Sequence, residues 1–167
     1  MPQDQPAAKP WLEHGWPDHL QILLDSYGRL LGKQLVPRSG SATEDARRVY
    51  EAPFVVVSHT AADDPILNFG NQTALGLWEI DVETLLQTPS RLTAEPMHRD
   101  ERAQLLARTT RDGYVDDYQG IRIATTGRRF QIQQAIVWNL TDTQGAYVGQ
   151  AATFDQWTFL DRATSGS

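Results

Sequence analysis

The residues of this chain that could do chemistry are few and scattered. Cysteine is absent, which removes thiol nucleophiles, disulfide switching, Cys-bound zinc, iron–sulfur clusters and a cysteinyl flavin adduct. Ser58 and His59 are adjacent in the apolar, β-branched run FVVVSH. Neighbours in a strand project to opposite faces, so these two cannot serve each other as nucleophile and base. Asp116 and Asp117 diverge in the same way. His59, Asp63 and Asp64 have the donor types of a metal site, but Asp-Asp-Pro is a turn signature, and no metal is expected. No P-loop, HExxH, G-x-S-x-G or Rossmann fingerprint occurs. No catalytic residue is assigned, the expectation leans against an enzyme, and nothing in the residues names a cofactor.

Two polar residues stand out against apolar surroundings. In RFQIQQAIVWNL, strand alternation puts Phe130, Ile132, Gln134, Ile136, Trp138 and Leu140 on one face. Gln134 is the polar exception, so it must either pair inside the core or point at a ligand. In YQGIRIAT, hydrophobicity points Ile121 and Ile123 inward and Arg122 out. With the opposite orientation, Arg122 could hold a carboxylate or phosphate through a bidentate pair, since a buried guanidinium without a partner is too costly to keep.

The elements that would position these groups follow from periodicity. Leu20, Leu23, Leu24, Tyr27, Leu30 and Leu31 lie on one helical face between Pro17 and Gly32. The run TEDARRVYEA forms a short helix that stops before Pro53. Residues 54–69 form a hairpin, NQTALGLWEI and DVETLLQ are helical, and a charged helix runs from Pro96 to its stop at Gly113. Three strands close the chain: YVDDYQGIRIAT, RRFQIQQAIVWNLTD and AYVGQAATFDQWTF. Grouped strands with hairpin-length connections imply an α+β fold, an antiparallel sheet with helices segregated on one face. Residues 1–16, with Trp11 and Trp16 as docking points, are expected to be a flexible arm. A helical segment over 17–52, the main domain over 53–160 and a disordered tail over 161–167 follow.

The 167 residues suffice for one cored domain. A net charge of -6 with no dense basic run argues against direct nucleic-acid binding. There is no membrane-length apolar run and no signal-peptide pattern at the start, so the expected compartment is the cytoplasm.

Five strands ordered as two, helices, three match the plan of a PAS domain, and ILNFGNQTALGLWEI with VWNLTDTQGAYVGQAATF resembles its second strand and closing pair. More narrowly, LLDSYGRLLGKQL, YEAPFVVVSH, PILNFGNQTALGLWE, PSRLTAEP and GRRFQIQQAIVWNL together resemble the bacterial MEKHLA-domain family, a PAS-like group, over roughly residues 19–160. Related domains end plant homeodomain-leucine zipper factors as sensory or dimerisation-modulating modules. The resemblance implies a stand-alone PAS-like sensory or interaction domain. A small ligand between its sheet and helices would modulate dimerisation or partner contact. The alternatives are a ligand-free interaction module and a small enzyme with an Arg-anchored pocket. By this resemblance Tyr118, Gly120 and Arg122 point inward, against the hydrophobicity argument. The small-residue face Tyr147, Gly149, Ala151 and Thr153 also turns inward and leaves room for a guest. Asn71 would cap the helix after the second strand, and Trp78 would cover the pocket side of the sheet. The candidate ligand-binding residues are therefore Arg122, Gln134, Tyr118, Trp78, Asn71 and Ala151. His98 sits near the axial histidine of some haem-binding PAS proteins, but MHRDER is too polar for a haem face, and a surface histidine is expected. A homodimer through the N-terminal helix, with Tyr27 and Leu31 near its seam, is set against packing of that helix within one chain.

Overall fold

The computed structural model describes residues 8–160, so the expected tail at 161–167 and the first seven residues of the arm lie outside the described residues. Helix α1 (Trp16–Leu31) carries Pro17 in its first turn and ends on left-handed Gly32, whose N–H donates to Gly28 O at 3.0 Å. Trp16 is thus not part of an arm: it opens α1, and its indole N–H donates to Asn68 O at 2.9 Å. Ser41 caps α2 (Ala42–Tyr50). Asp45 of α2 accepts from Gln21 of α1, from the Ser39 backbone and hydroxyl, and from Arg38. Burial alone would raise this carboxyl, but the four donors outweigh it and hold it well below the usual carboxylate range.

Strands β1 (Val55–Thr60) and β2 (Leu67–Gly70) form the first hairpin, followed by α3 (Gln72–Trp78), α4 (Val82–Leu85) and α5 (Arg99–Asp112). The chain then runs through β3 (Tyr114–Ile123), β4 (Arg129–Thr141), β5 (Tyr147–Phe154) and β6 (Gln156–Phe159). The antiparallel order is β2-β1-β5-β4-β3, with β6 paired to the first half of β4. The single last strand of the sequence reading is therefore two, broken at Asp155.

A bulge in β4 decides which residues share a face. Tyr118 pairs with Ala135 and Gly120 with Ile132, so three steps on β4 oppose two on β3. Gln134 takes up the extra residue at φ 50°. Phe130 and Ile132 before the bulge, and Ala135 and Val137 after it, pack into one core with Trp78, Leu105 and Phe154. Ile136, Trp138 and Leu140 pack into the other, beneath α1. The expectation of one continuous face from Phe130 to Leu140 fails there, because a bulge shifts every later side chain to the opposite face.

The sheet is thus covered twice. Leu20, Leu23, Leu24 and Tyr27 of α1 bury against Val56, Phe69, Trp138 and Leu140. Tyr27 meets Trp138 edge-on, ring centroids 5.0 Å apart. This corrects the placing of Tyr27 near a dimer seam: its ring is buried inside its own chain, while Leu31 is half-buried. On the other face α3 and α5 enclose the second core, which holds the site.

Candidate functional site

The site lies between the second face of the sheet and α5. It is a partly open cavity of about 70 Å³ with a wall that includes Leu105, Ile132, Val137 and Phe154, and with His59, Ser90, Arg102, Tyr118, Arg122 and Gln150 among its polar lining. Strand β1 supplies His59 because alternation sends it to this face and sends Ser58 to the other. Ser58 Oγ lies 2.9 Å from His19 Nε2 under α1, so the two residues serve opposite sides of the sheet, as expected.

His59 is the centre of a neutral chain. Its Nδ1 is 2.9 Å from Ser90 Oγ and its Nε2 is 3.3 Å from Gln150 Oε1. The amide oxygen of Gln150 can only accept, so Nε2 carries the proton and Nδ1 accepts from the Ser90 hydroxyl. Gln150 spends its NH2 on Leu106 O, Thr110 Oγ1 and Asn139 Oδ1, at 3.0–3.1 Å. Burial and then the charge of Arg102 push the imidazole down to about 4. Ser90, His59 and Gln150 have the layout of a nucleophile, base and orienter. A base so weak, backed by a neutral amide and with Arg102 donating to the same Ser90 oxygen, has little power to take a proton near neutrality.

Two arginines enter the cavity from different elements. Arg102 is 8% exposed on α5 and Arg122 is 7% exposed on β3. Arg122 donates to Tyr118 Oη at 3.1 Å and to Ile121 O at 2.9 Å. The inward orientation of Tyr118 and Arg122 implied by the family resemblance is the one found, against the hydrophobicity argument. Trp78 lines the cavity too, edge-on to Phe130 with centroids 5.3 Å apart. Its indole nitrogen is buried with no hydrogen-bond partner.

Two candidates lie elsewhere, and a third only borders the cavity. Gln134 is exposed, because the bulge turns it out of the sheet face it was assigned to. Asn71 is fully buried but does not line the cavity. Its oxygen accepts from Val56 N and Ala74 N, and its NH2 donates to Val49 O and Phe54 O, so its capacity is spent on capping α3 and tying it to β1. Ala151 borders the cavity, but its side chain packs into the core under α1, opposite Ser58 and Trp138. The small-residue face of β5 therefore turns toward α1, and Gln150, Ala152 and Phe154 face the site instead.

His59, Ser90, Arg102 and Gln150 were not foreseen as lining residues. Arg102 had a signal: Arg102, Leu105 and Thr109 follow i, i+3, i+7 spacing and are the buried residues of an otherwise polar helix. His98 stands at the N-terminus of α5 without a side-chain capping bond and does not line the cavity; it is half-buried, not the surface histidine expected. Asp64 is exposed and pairs with Arg91 at 3.2 Å, away from His59. Among the described residues no group of three or more His, Asp or Glu side chains is placed to hold a metal. No described helix is long and apolar enough to cross a membrane.

A PAS domain from Colwellia psychrerythraea superposes with a TM-score of 0.58 at 12% identity, covering 66% of this chain and 91% of that one. The fungal blue-light photoreceptor Vivid, solved as a light-state dimer, gives 0.57 at 11% identity over 92% and 98% of the two chains. A light-oxygen-voltage domain studied with a flavin analogue gives 0.52 at 15% identity over 70% and 84%. At such identities the likeness is one of fold, the PAS and light-oxygen-voltage fold of sensory domains. No curated protein matches the chain in sequence. The profile of the MEKHLA domain matches residues 17–159, and with nearly the whole chain inside that match, the protein belongs to the MEKHLA domain family.

Proposed function

We propose that the chain is a sensory domain that holds a small ligand in the cavity between β1, β3–β5 and α5, and that occupancy modulates dimerisation or partner contact. The observation that carries the reading is a space beneath α5 lined by hydrogen-bonding side chains with donors to spare, Arg102 and Arg122 foremost. A buried donor left unpaired costs about 1–3 kcal/mol, and a ligand acceptor would recover that. The space holds roughly five water-sized groups, so the ligand, or the part of it that is enclosed, is compact. The space is below the roughly 300–1,000 Å³ of ordinary small-molecule sites, and the chain has no cysteine for a covalent flavin adduct.

Strand β1 offers the route outward. His59 faces the ligand space, and its neighbour Ser58 bonds both His19 of α1 and Asn68 of β2. A ligand that shifts β1 therefore acts directly on the seat of α1. Because Tyr27 is inside the chain, dimerisation through α1 would use its outer surface or require the helix to lift. Native mass spectrometry of freshly purified protein, with denaturing analysis of what is released, tests the reading. A retained small molecule and a mass that changes between monomer and dimer on its removal are expected. A bare chain of constant mass under added metabolites supports a ligand-free interaction module instead.

A further inference from the structure

We infer that the cavity is a receptor for a compact oxyanion, a carboxylate or phosphate group clamped by Arg102 and Arg122; this rests on the cavity being a ligand site. Both arginines are buried, and among the described residues no Asp or Glu lines the space. Among the described residues neither arginine forms an ion pair. The same chain shows what it does with structural arginines: Arg129 meets Glu95 at 2.6 Å, and Arg38 meets Asp45 and Asp25 at 3.0 Å each. A buried cation is kept only when something compensates it, and two in one cavity repel as well. That repulsion, after burial, is why Arg102 is pushed down to about 10, which still leaves it charged at neutral pH.

The neutral groups agree in sign. Each guanidinium presents five N–H donors, and the contacts to Ser90, Ile121 and Tyr118 leave most of them free. His59, pushed down to about 4, is neutral near pH 7 and adds no third positive charge. The cavity thus offers two positive charges and an excess of donors inside an apolar wall, the complement of a desolvated oxyanion. An apolar body on that anion has somewhere to go. A second groove shares Val57, Leu67, Trp78 and Thr93 with the cavity and continues along Ile80, Leu85 and Leu92.

The test is thermal unfolding and titration calorimetry of the full chain at constant ionic strength. The probes are inorganic phosphate, acetate, propionate and hexanoate, with propionamide and hexanamide as uncharged twins. At least one oxyanion is expected to raise Tm and bind one to one, at least tenfold tighter than its amide. Phosphate alone, or the carboxylates alone, identifies the head group. Binding should fall at least tenfold in Arg102→Met and in Arg122→Lys. Arg102→Met should also raise the Tm of the ligand-free protein, because it removes an uncompensated charge. A lower Tm in that variant would mark Arg102 as a structural group and overturn the clamp. Amides that bind as well as acids, or a neutral molecule retained after purification, would overturn the oxyanion and leave the ligand site standing. A bare chain that no probe stabilises would remove both.

Discussion

His59 makes the electrostatics of the cavity measurable without any ligand. Its imidazole titrates at about 4 in the folded chain against 6.5 for the free side chain. The unfolded chain therefore binds a proton on acidification that the folded chain refuses. A depressed histidine leaves stability untouched above the unfolded value and removes it as pH falls from there toward the folded one. The loss amounts to about 2 kcal/mol by pH 5 and approaches about 3 kcal/mol near pH 4, at about 1.36 kcal/mol per pKa unit. The perturbation is His59→Gln, which keeps a donor and an acceptor between Ser90 and Gln150 but cannot titrate. Urea unfolding of both proteins at pH 7.5 and pH 5.0 gives the assay, since other titrating groups, including His19 and Asp45, are common to both and cancel. Wild type should lose about 2 kcal/mol more than the variant over that interval. Parallel losses would mean that His59 protonates freely in the native state, so that the cavity is wet or carries a negative charge, and the account of its burial beside Arg102 would fail.

Three further substitutions separate scaffold from site. Asn71→Ala removes four hydrogen bonds from a fully buried side chain and strands backbone groups of Val49, Phe54, Val56 and Ala74; chemical denaturation should show a loss of about 3 kcal/mol or more. Gly149→Ala places a Cβ 2.2 Å from the His59 carbonyl oxygen at φ 148°, so β5 must separate from β1, and a lowered Tm with a loss of about 3 kcal/mol is expected. Gly120→Ala drives a Cβ into the hydroxyl and ring carbons of buried Tyr118, so the ring must shift; a lowered Tm is expected, together with loss of the Arg122 contact and about tenfold weaker phosphate or carboxylate binding, as read by calorimetry.

Most of the scaffold was legible because it rests on local chemistry. Pro17 and Gly32 bracket α1, Asn71 caps α3, and Gly113 closes α5, each by a rule that needs only neighbouring residues. The site was legible in half. Tyr118, Arg122 and Trp78 were placed in it, the first two by family resemblance against their hydrophobic context. Gln134 was misplaced because a bulge is a property of two strands in register, and alternation read along one strand cannot show it. Ala151 failed through the same reasoning, since the expected face of β5 was the wrong one. Arg102 was hidden by the assumption that a charged helix is a solvated one, although its spacing to Leu105 and Thr109 marked the buried stripe. Ser90 lies in a 3₁₀ turn, Ser90–Thr93, and reaches His59 across 31 positions, a contact no local pattern contains.

The bulge at Gln134 also explains how one sheet serves two purposes. Without it β4 would send Phe130, Ile132, Ile136, Trp138 and Leu140 to a single side, and the opposite face would keep only Ala135 and Val137 as apolar residues. With it the first half of β4 faces the cavity and the second half anchors α1 through Trp138 and Leu140. Strand β1 completes the division by alternation alone: Val55, Val57 and His59 toward the cavity, Val56 and Ser58 toward α1. A displacement of β1 or β4 that accommodates a guest is then necessarily a displacement of the surface on which α1 sits, because the same backbone carries both sets of side chains. Packed interfaces respond to such shifts by changing seat rather than by deforming smoothly. On the proposed reading, an anion held by Arg102 and Arg122 would supply the means to drive that change, since its charge would offset the burial of two cations.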